Sequence, residues 1–251
     1  MRKAFDSNGR YCPTDINMPR IVPKRKDGWE NFAFDVPLTE MGYIQSKLTG
    51  RALRDSGIKI DFIYCSSALR CVQTAVGITK GLGATSSINV EPGLFEWMQW
   101  CRGQRPNWMH PEDLKKSGYS VNVDYNPIIS APNLVLDESL IAYYDRSQHV
   151  VKEILRRHPS GTILIVAHGA SLETCTRQLC GGEPRPTDQF FHLLQNTPYL
   201  ACVQITENQN SWKFTETPIA PLTHSMNASY DPKQLTMPVP PLEERVKRNH
   251  S

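Results

Sequence analysis

An imidazole at the end of one apolar run, a guanidinium just past the end of another and a carboxyl between aromatic rings are the groups in this sequence with chemistry to offer. They are His168, Arg70 and Glu96. The run Ile163-Leu-Ile-Val166 lacks polar alternation, as expected of a strand buried on both faces in a parallel sheet, and it stops two residues before His168. Gly169-Ala-Ser171 follows, with Ser171 placed to cap a helix over Leu172 to Leu179, so strand end, imidazole and helix N-terminus together predict an anion site. Arg70 lies in Cys65-Ser-Ser-Ala-Leu-Arg-Cys71, the exit turn of a second apolar strand, Ile60 to Tyr64. A guanidinium there can fork across two phosphate oxygens, whereas an ordinary surface arginine would pair with a carboxylate. Glu96 sits in Leu94-Phe-Glu-Trp97, where desolvation raises a carboxyl pKa and keeps it able to donate a proton to an alcohol or phenol leaving group. Glu91 is the weaker acid candidate.

Strand, turn and helix must recur for these groups to share one rim, because ligands in parallel α/β sheets bind outside the carboxyl ends of the strands. Thr39 predicts the cap of a helix with apolar positions Met41, Ile44, Leu48 and Ala52, ending at Gly57. A helix from about Ser67 to Gly81 follows the first strand, and Ile88 to Val90 is a short strand. Residues 97 to 132 are irregular and aromatic, the composition of a lid or pocket wall. A long helix spans about Asp137 to His158, Thr187 to Gln195 is helical, Tyr199 to Thr206 reads as a strand, and Trp212 to Phe214 as its hairpin partner. The first 38 residues, with the basic cluster Arg20, Lys24, Arg25 and Lys26, predict an extended solvated segment; the proline-rich tail from Met226 predicts disorder.

Composition excludes more than it names. With 28 basic and 25 acidic residues the chain lacks the profile of a nucleic-acid binder. No apolar stretch approaches the ~20 residues that span a bilayer, so no membrane partner is expected. Seven cysteines without a CxxC pair predict reduced thiols, a cytoplasmic location and no structural metal. Gly-x-Ser-x-Gly, Walker A and Gly-x-Gly-x-x-Gly motifs are absent.

Four strings occur in order: Leu69-Arg-Cys-Val-Gln-Thr-Ala75, Glu91-Pro-Gly-Leu-Phe-Glu-Trp97, Ile165-Val-Ala-His-Gly-Ala-Ser171 and Pro221-Leu-Thr-His224. Together they resemble the histidine phosphatase superfamily, in the branch that holds the suppressors of T-cell receptor signalling and the ecdysteroid-phosphate phosphatases, over about Phe5 to Ser225. The resemblance implies an α/β three-layer sandwich with a mostly parallel central sheet, the phosphoglycerate-mutase-like fold, over residues 1–225, and a tail over 226–251. It implies a phosphomonoester hydrolase acting on phosphotyrosine protein or steroid phosphate through a phosphohistidine, without cofactor or metal, and a homodimer. By resemblance Arg70 is a phosphate-binding arginine, Glu96 the acid and His168 the second pocket histidine, both catalytic and phosphate-binding; His224 is structural.

One departure sets a further expectation. The family's attacking histidine belongs to an Arg-His-Gly-Glu-Arg-like motif ahead of the Phe5-Asp-Ser-Asn-Gly-Arg-Tyr11 string, and this sequence has no histidine before His110. The first strand, the nucleophile and two phosphate arginines are therefore expected to be missing, and loss of a nucleophile costs on the order of a million-fold in turnover. A pseudophosphatase that binds phosphorylated ligands, or a dimerisation module, is the alternative. The chain made alone is therefore expected to be unstable or inactive, and robust hydrolysis of p-nitrophenyl phosphate by the purified 251-residue form would refute that expectation.

Overall fold

The computed structural model describes residues 4–209, 211–220 and 231–238. Met1 to Lys3, the Pro221-Leu-Thr-His224 string with its histidine, and most of the tail expected to be disordered lie outside the described residues.

Three short apolar segments make the central sheet: β1 (Phe62–Cys65), β2 (Ile88–Val90) and β3 (Ile163–Val166), all parallel in the order β2-β1-β3. Tyr64 lies opposite both Asn89 and Ile165. Parallel neighbours need crossovers, which α2 (Leu69–Leu82) and α4 (Leu140–Arg157) supply, with the short α3 (Pro111–Lys116) between them in the chain. Side chains alternate across β1. Ile63 and Cys65 pack with Leu69, Val72 and Val76 of α2, while Tyr64 packs with Val150, Val151 and Ile154 of α4. Helix, sheet and helix therefore form the expected α/β three-layer architecture. Ser139 caps α4 by accepting from Ala142 N, and Gly83 ends α2 in the left-handed conformation at φ 72°.

Helix α1 (Glu40–Asp55) is capped by Thr39 as expected, but it buries the opposite face from the one its apolar spacing predicts. Met41, Ile44 and Leu48 are 52%, 49% and 48% exposed, and Ser46, Thr49, Gly50 and Leu53 face inward. Closeness explains the reversal. Gly50, Gly77 and Gly81 let α1 and α2 touch backbone to backbone: a Cβ on Gly50 would stand 2.1 Å from Ile78 O, and one on Gly81 2.1 Å from Lys47 O. Small residues, not large apolar ones, fit such a crossing.

Elsewhere the sequence reading also shifts. Ile163, Leu164 and Ile165 are only partly buried, because β3 is an edge strand among the described residues. The segment expected as a strand over Tyr199 to Thr206 is irregular up to Gln204; β4 (Ile205–Asn208) then pairs antiparallel with β5 (Ser211–Phe214). Arg25, expected in a solvated cluster, is fully buried against Asp35 at 3.0 Å, and Phe5 stacks on Trp29 and Phe32. Within the tail, Leu235 is buried in a 3-10 turn (Pro232–Leu235), where Arg177 and Arg185 donate to its carbonyl oxygen and to that of Met237. Among the described residues no helix is long and apolar enough to cross a membrane, and all seven cysteines are free.

Candidate phosphate-handling site

The residues singled out by type meet at the carboxyl ends of β1 and β3. Arg70 is the second residue of α2, and the start of that helix is pinned by Asp35, whose Oδ1 accepts from Leu69 N at 2.7 Å while Oδ2 accepts from Arg25 at 3.0 Å. Arg25 also donates to Asp27 and to the Asn107 carbonyl oxygen, which ties the pin to the irregular segment over the sheet. His168 follows β3 and holds its backbone N–H toward Ser171 Oγ at 3.2 Å. Glu96 is fixed by its main chain. Arg146 of α4 donates to the carbonyl oxygens of Gly93, Phe95 and Glu96, and pairs with Glu138 at 2.6 Å.

Arg70 Nη2 lies 2.6 Å from Glu96 Oε1 and 3.1 Å from His168 Nδ1, and Glu96 Oε2 is 3.7 Å from that same ring nitrogen. Ser66 Oγ stands 2.8 Å from His168 Nε2. A guanidinium only donates, so Nδ1 must accept, and the neutral ring carries its proton on Nε2 and donates it to Ser66. The Phe95 ring meets the imidazole edge-on at 5.1 Å.

Burial, with Arg70 and Arg146 close by, holds His168 well below the ordinary imidazole range. Burial raises the Glu96 carboxyl, and Arg70 opposes it. The expected elevation of Glu96 is therefore present, with its cation 2.6 Å away as a counterweight. Cys71 lies 3.8 Å from His168 Nε2, but burial pushes its thiol up to about 12, which leaves it neutral and a poor nucleophile.

For His168 the depressed value carries a stability consequence. Its pKa is lowered in the folded chain, so the unfolded chain takes up a proton first, near the ordinary value of about 6.5. The stabilisation is present above that pH and is lost as pH falls below it, at a limiting slope of roughly 1.4 kcal/mol per unit. Asp35, Glu96 and Glu173 have raised values and offset the loss at lower pH by taking up protons first in the folded state. Urea unfolding at pH 7.5 and 5.5 should therefore show a drop in stability that shrinks in His168→Gln; equal drops in both proteins would remove His168 as the cause.

Two expectations need correction. Helix α5 spans only Ser171–Thr174, with Ala170 at its N-cap, so Ser171 does not cap a long helix and no dipole of such a helix stands beside His168. Glu91 is not an acid candidate. It is fully buried, and its oxygens accept from Gly93 N, Tyr125 Oη, Ile128 N and Ile129 N at 2.6 to 3.1 Å, which makes it a structural staple. Most of the aromatic insertion is structural too: Tyr125 serves Glu91, Tyr119 accepts from Gln73, and Trp97 packs on Phe190 and Phe191 of α6 (Thr187–Asn196). Sequence reasoning missed Asp35, Ser66 and Arg146, none of which lies in a pattern that distinguishes it from a loop or helix-surface residue.

The Histidine phosphatase superfamily (branch 1) profile matches residues 26–217. Ubiquitin-associated and SH3 domain-containing protein B of Mus musculus is 41% identical over 239 residues, covering 92% of this chain and 37% of that protein. Ecdysteroid-phosphate phosphatase of Drosophila melanogaster is 38% identical over 234 residues, covering 90% and 31%. The chain thus spans about a third of the length of these curated relatives. Among solved structures, ecdysone phosphate phosphatase from Bombyx mori in complex with tungstate superimposes with a TM-score of 0.70 at 25% identity, covering 94% of this chain and 92% of that one. A parallel sheet with Arg70, Glu96 and His168 gathered at its carboxyl rim, and a family profile matched across most of its length, place this chain in branch 1 of the histidine phosphatase superfamily.

Proposed function

We propose that this domain handles phosphomonoesters of phenols or steroid alcohols, with Arg70 and His168 holding phosphoryl oxygens and Glu96 giving a proton to the leaving oxygen. The observation that carries the reading is the convergence of these three side chains within 2.6 to 3.7 Å of one another. Arg70 supplies the planar donor set that suits a phosphoryl group, and burial raises the Glu96 carboxyl toward the range of a proton donor while Arg70 opposes that rise. In the empty pocket both ring nitrogens of His168 are engaged, with Arg70 and Ser66. In the phosphohistidine mechanism of this reading it is the holding histidine and not the attacking one, and its Nε2 proton is the one it can turn from Ser66 to a phosphoryl oxygen.

That same engagement favours a second reading, capture of a phosphorylated ligand without turnover. The other described histidines lie elsewhere: His110, His149 and His192 are exposed, and His158 stacks on Phe62. Hydrolysis of p-nitrophenyl phosphate separates the two. Arg70→Ala is expected to weaken phosphotyrosine-peptide or tungstate binding at least tenfold under either reading, since a charge-assisted pair contributes about 1.5 to 3 kcal/mol. Undiminished binding in that variant would defeat both. A homodimer and a cytoplasmic location belong to the same proposal; light scattering of the purified chain measures the first.

A further inference from the structure

We propose that an oxyanion entering this pocket takes Arg70 away from Glu96, and that the released carboxylate then binds a proton, so that filling the phosphate site itself loads the proton donor. This rests on the phosphomonoester reading above and adds its regulation.

The geometry is that of a site closed on itself. Arg70 Nη2, the nitrogen turned toward His168, already donates to Glu96 Oε1 at 2.6 Å. Both side chains remain about a quarter exposed, at 28% and 26%, so the pair can be reached and opened. A phosphoryl dianion that forks onto Arg70 must displace this carboxylate, because two anions cannot share one guanidinium edge in a partly desolvated pocket without strong repulsion.

Every group that faces Glu96 bears on its affinity for a proton. Arg70 of α2 is the cation that holds it ionised, and burial works against ionisation. Arg146 of α4 touches only the Glu96 main-chain oxygen and is committed to the buried Glu138. His168, after β3, is neutral and lies 3.7 Å from Oε2. Cys71 and Cys101 feel the charge of Glu96 and have raised thiol pKa values, so neither offers a countercharge. With Arg70 diverted, burial and the ligand's own charge both favour the neutral carboxyl. The balance is simple: one dianion and one solvent proton enter, Glu96 becomes a carboxylic acid, and no bond within the ligand breaks. In the empty pocket the same carboxylate serves as counter-ion to Arg70. His168 is the competing proton acceptor, since its Nδ1 also loses the Arg70 donor.

Tungstate, a dianion near neutral pH, is the probe. Calorimetric titration of the full chain at pH 7, in buffers of different ionisation enthalpy, should show uptake approaching one proton per tungstate bound. Affinity should then fall about tenfold per pH unit upward. Glu96→Gln should abolish the uptake, flatten the pH dependence and tighten binding, because the internal competitor for Arg70 keeps its shape but loses its charge. In the unsubstituted protein, difference infrared spectra should gain a protonated-carboxyl band on tungstate addition, which reads the same event without a variant. Binding without proton uptake, or uptake that persists in Glu96→Gln and so belongs to His168, would overturn the inference and leave the phosphate site standing. Failure of tungstate to bind, or binding indifferent to Arg70→Ala, would remove the phosphate reading itself.

Discussion

Arg146→Ala is expected to cost about 3 to 5 kcal/mol of stability, the range seen when one partner of a buried ion pair is removed. The guanidinium is nearly inaccessible and makes contacts of three kinds at once. It forms two bonds to Glu138, at 2.9 and 2.6 Å, donates to the carbonyl oxygens of Gly93, Phe95 and Glu96, and lies over the Tyr143 ring at 4.8 Å. Alanine would leave the Glu138 carboxylate buried without its cation and three carbonyl oxygens without their donor. For a domain of this size the melting temperature should fall on the order of 10 °C. Arg146→Lys should fall between, since one ammonium cannot reproduce a planar fork that serves both a carboxylate and a loop. Adding Glu138→Gln to Arg146→Ala should recover part of the loss, because the uncompensated charge is then gone. The loop that Arg146 grips carries Glu96, so phosphoester binding should weaken before the fold melts. A loss under about 1 kcal/mol in Arg146→Ala by urea unfolding would show that the network is not held as described.

Gly50→Ala is the second large effect, and its sign distinguishes helix propensity from packing. On an exposed helix the change stabilises by roughly 1 kcal/mol. Here the added carbon would stand 2.1 Å from Ile78 O and 2.8 Å from Ile78 C, both main-chain atoms that no rotamer change can move. The helices must separate, and overpacking of this kind costs about 1 to 3 kcal/mol, occasionally more. We expect a net loss near the top of that range and a melting temperature lower by about 6 to 12 °C. Gly81→Ala meets Lys47 O at 2.1 Å across the same crossing and should behave alike. Once one substitution has parted the helices the other has less to disturb, so the double variant should lose less than the sum of the two. A stabilised Gly50→Ala would mean that α1 and α2 do not approach so closely. Arg70 lies in the first turn of the helix that would be displaced, which links this packing to the proposed anion site.

Much of the scaffold was legible from local signals. Thr39 caps its helix as its position predicts, because a hydroxyl before a helix satisfies an orphan N–H whatever the rest of the chain does. Short apolar runs gave the three parallel strands, and Trp212 to Phe214 the hairpin partner. Local patterns failed where a distant partner decided the outcome. The α1 stripe of Met41, Ile44 and Leu48 has the spacing of a buried face, yet glycines on α2, about thirty residues away, select the small-residue side instead. Glu91 and Glu96 lie in one string with similar apolar neighbours; only the chain returning at Tyr125, Ile128 and Ile129 makes the first a staple. Arg25 looked like one of four solvated cations until Asp35 buried it.

By itself the sequence determined that this chain has parallel α/β architecture and that Arg70, Glu96 and His168 are its chemically capable side chains, because residue type, strand ends and caps are local properties. Tertiary structure alone decided how those three groups are paired and which way the proton affinities of His168 and Glu96 move. Arg70 is paired to Glu96, His168 is neutral with its proton on Nε2, and Glu96 is raised by burial while countered by a cation. Those states depend on distance and desolvation between segments separated by up to 102 residues, which no local pattern encodes.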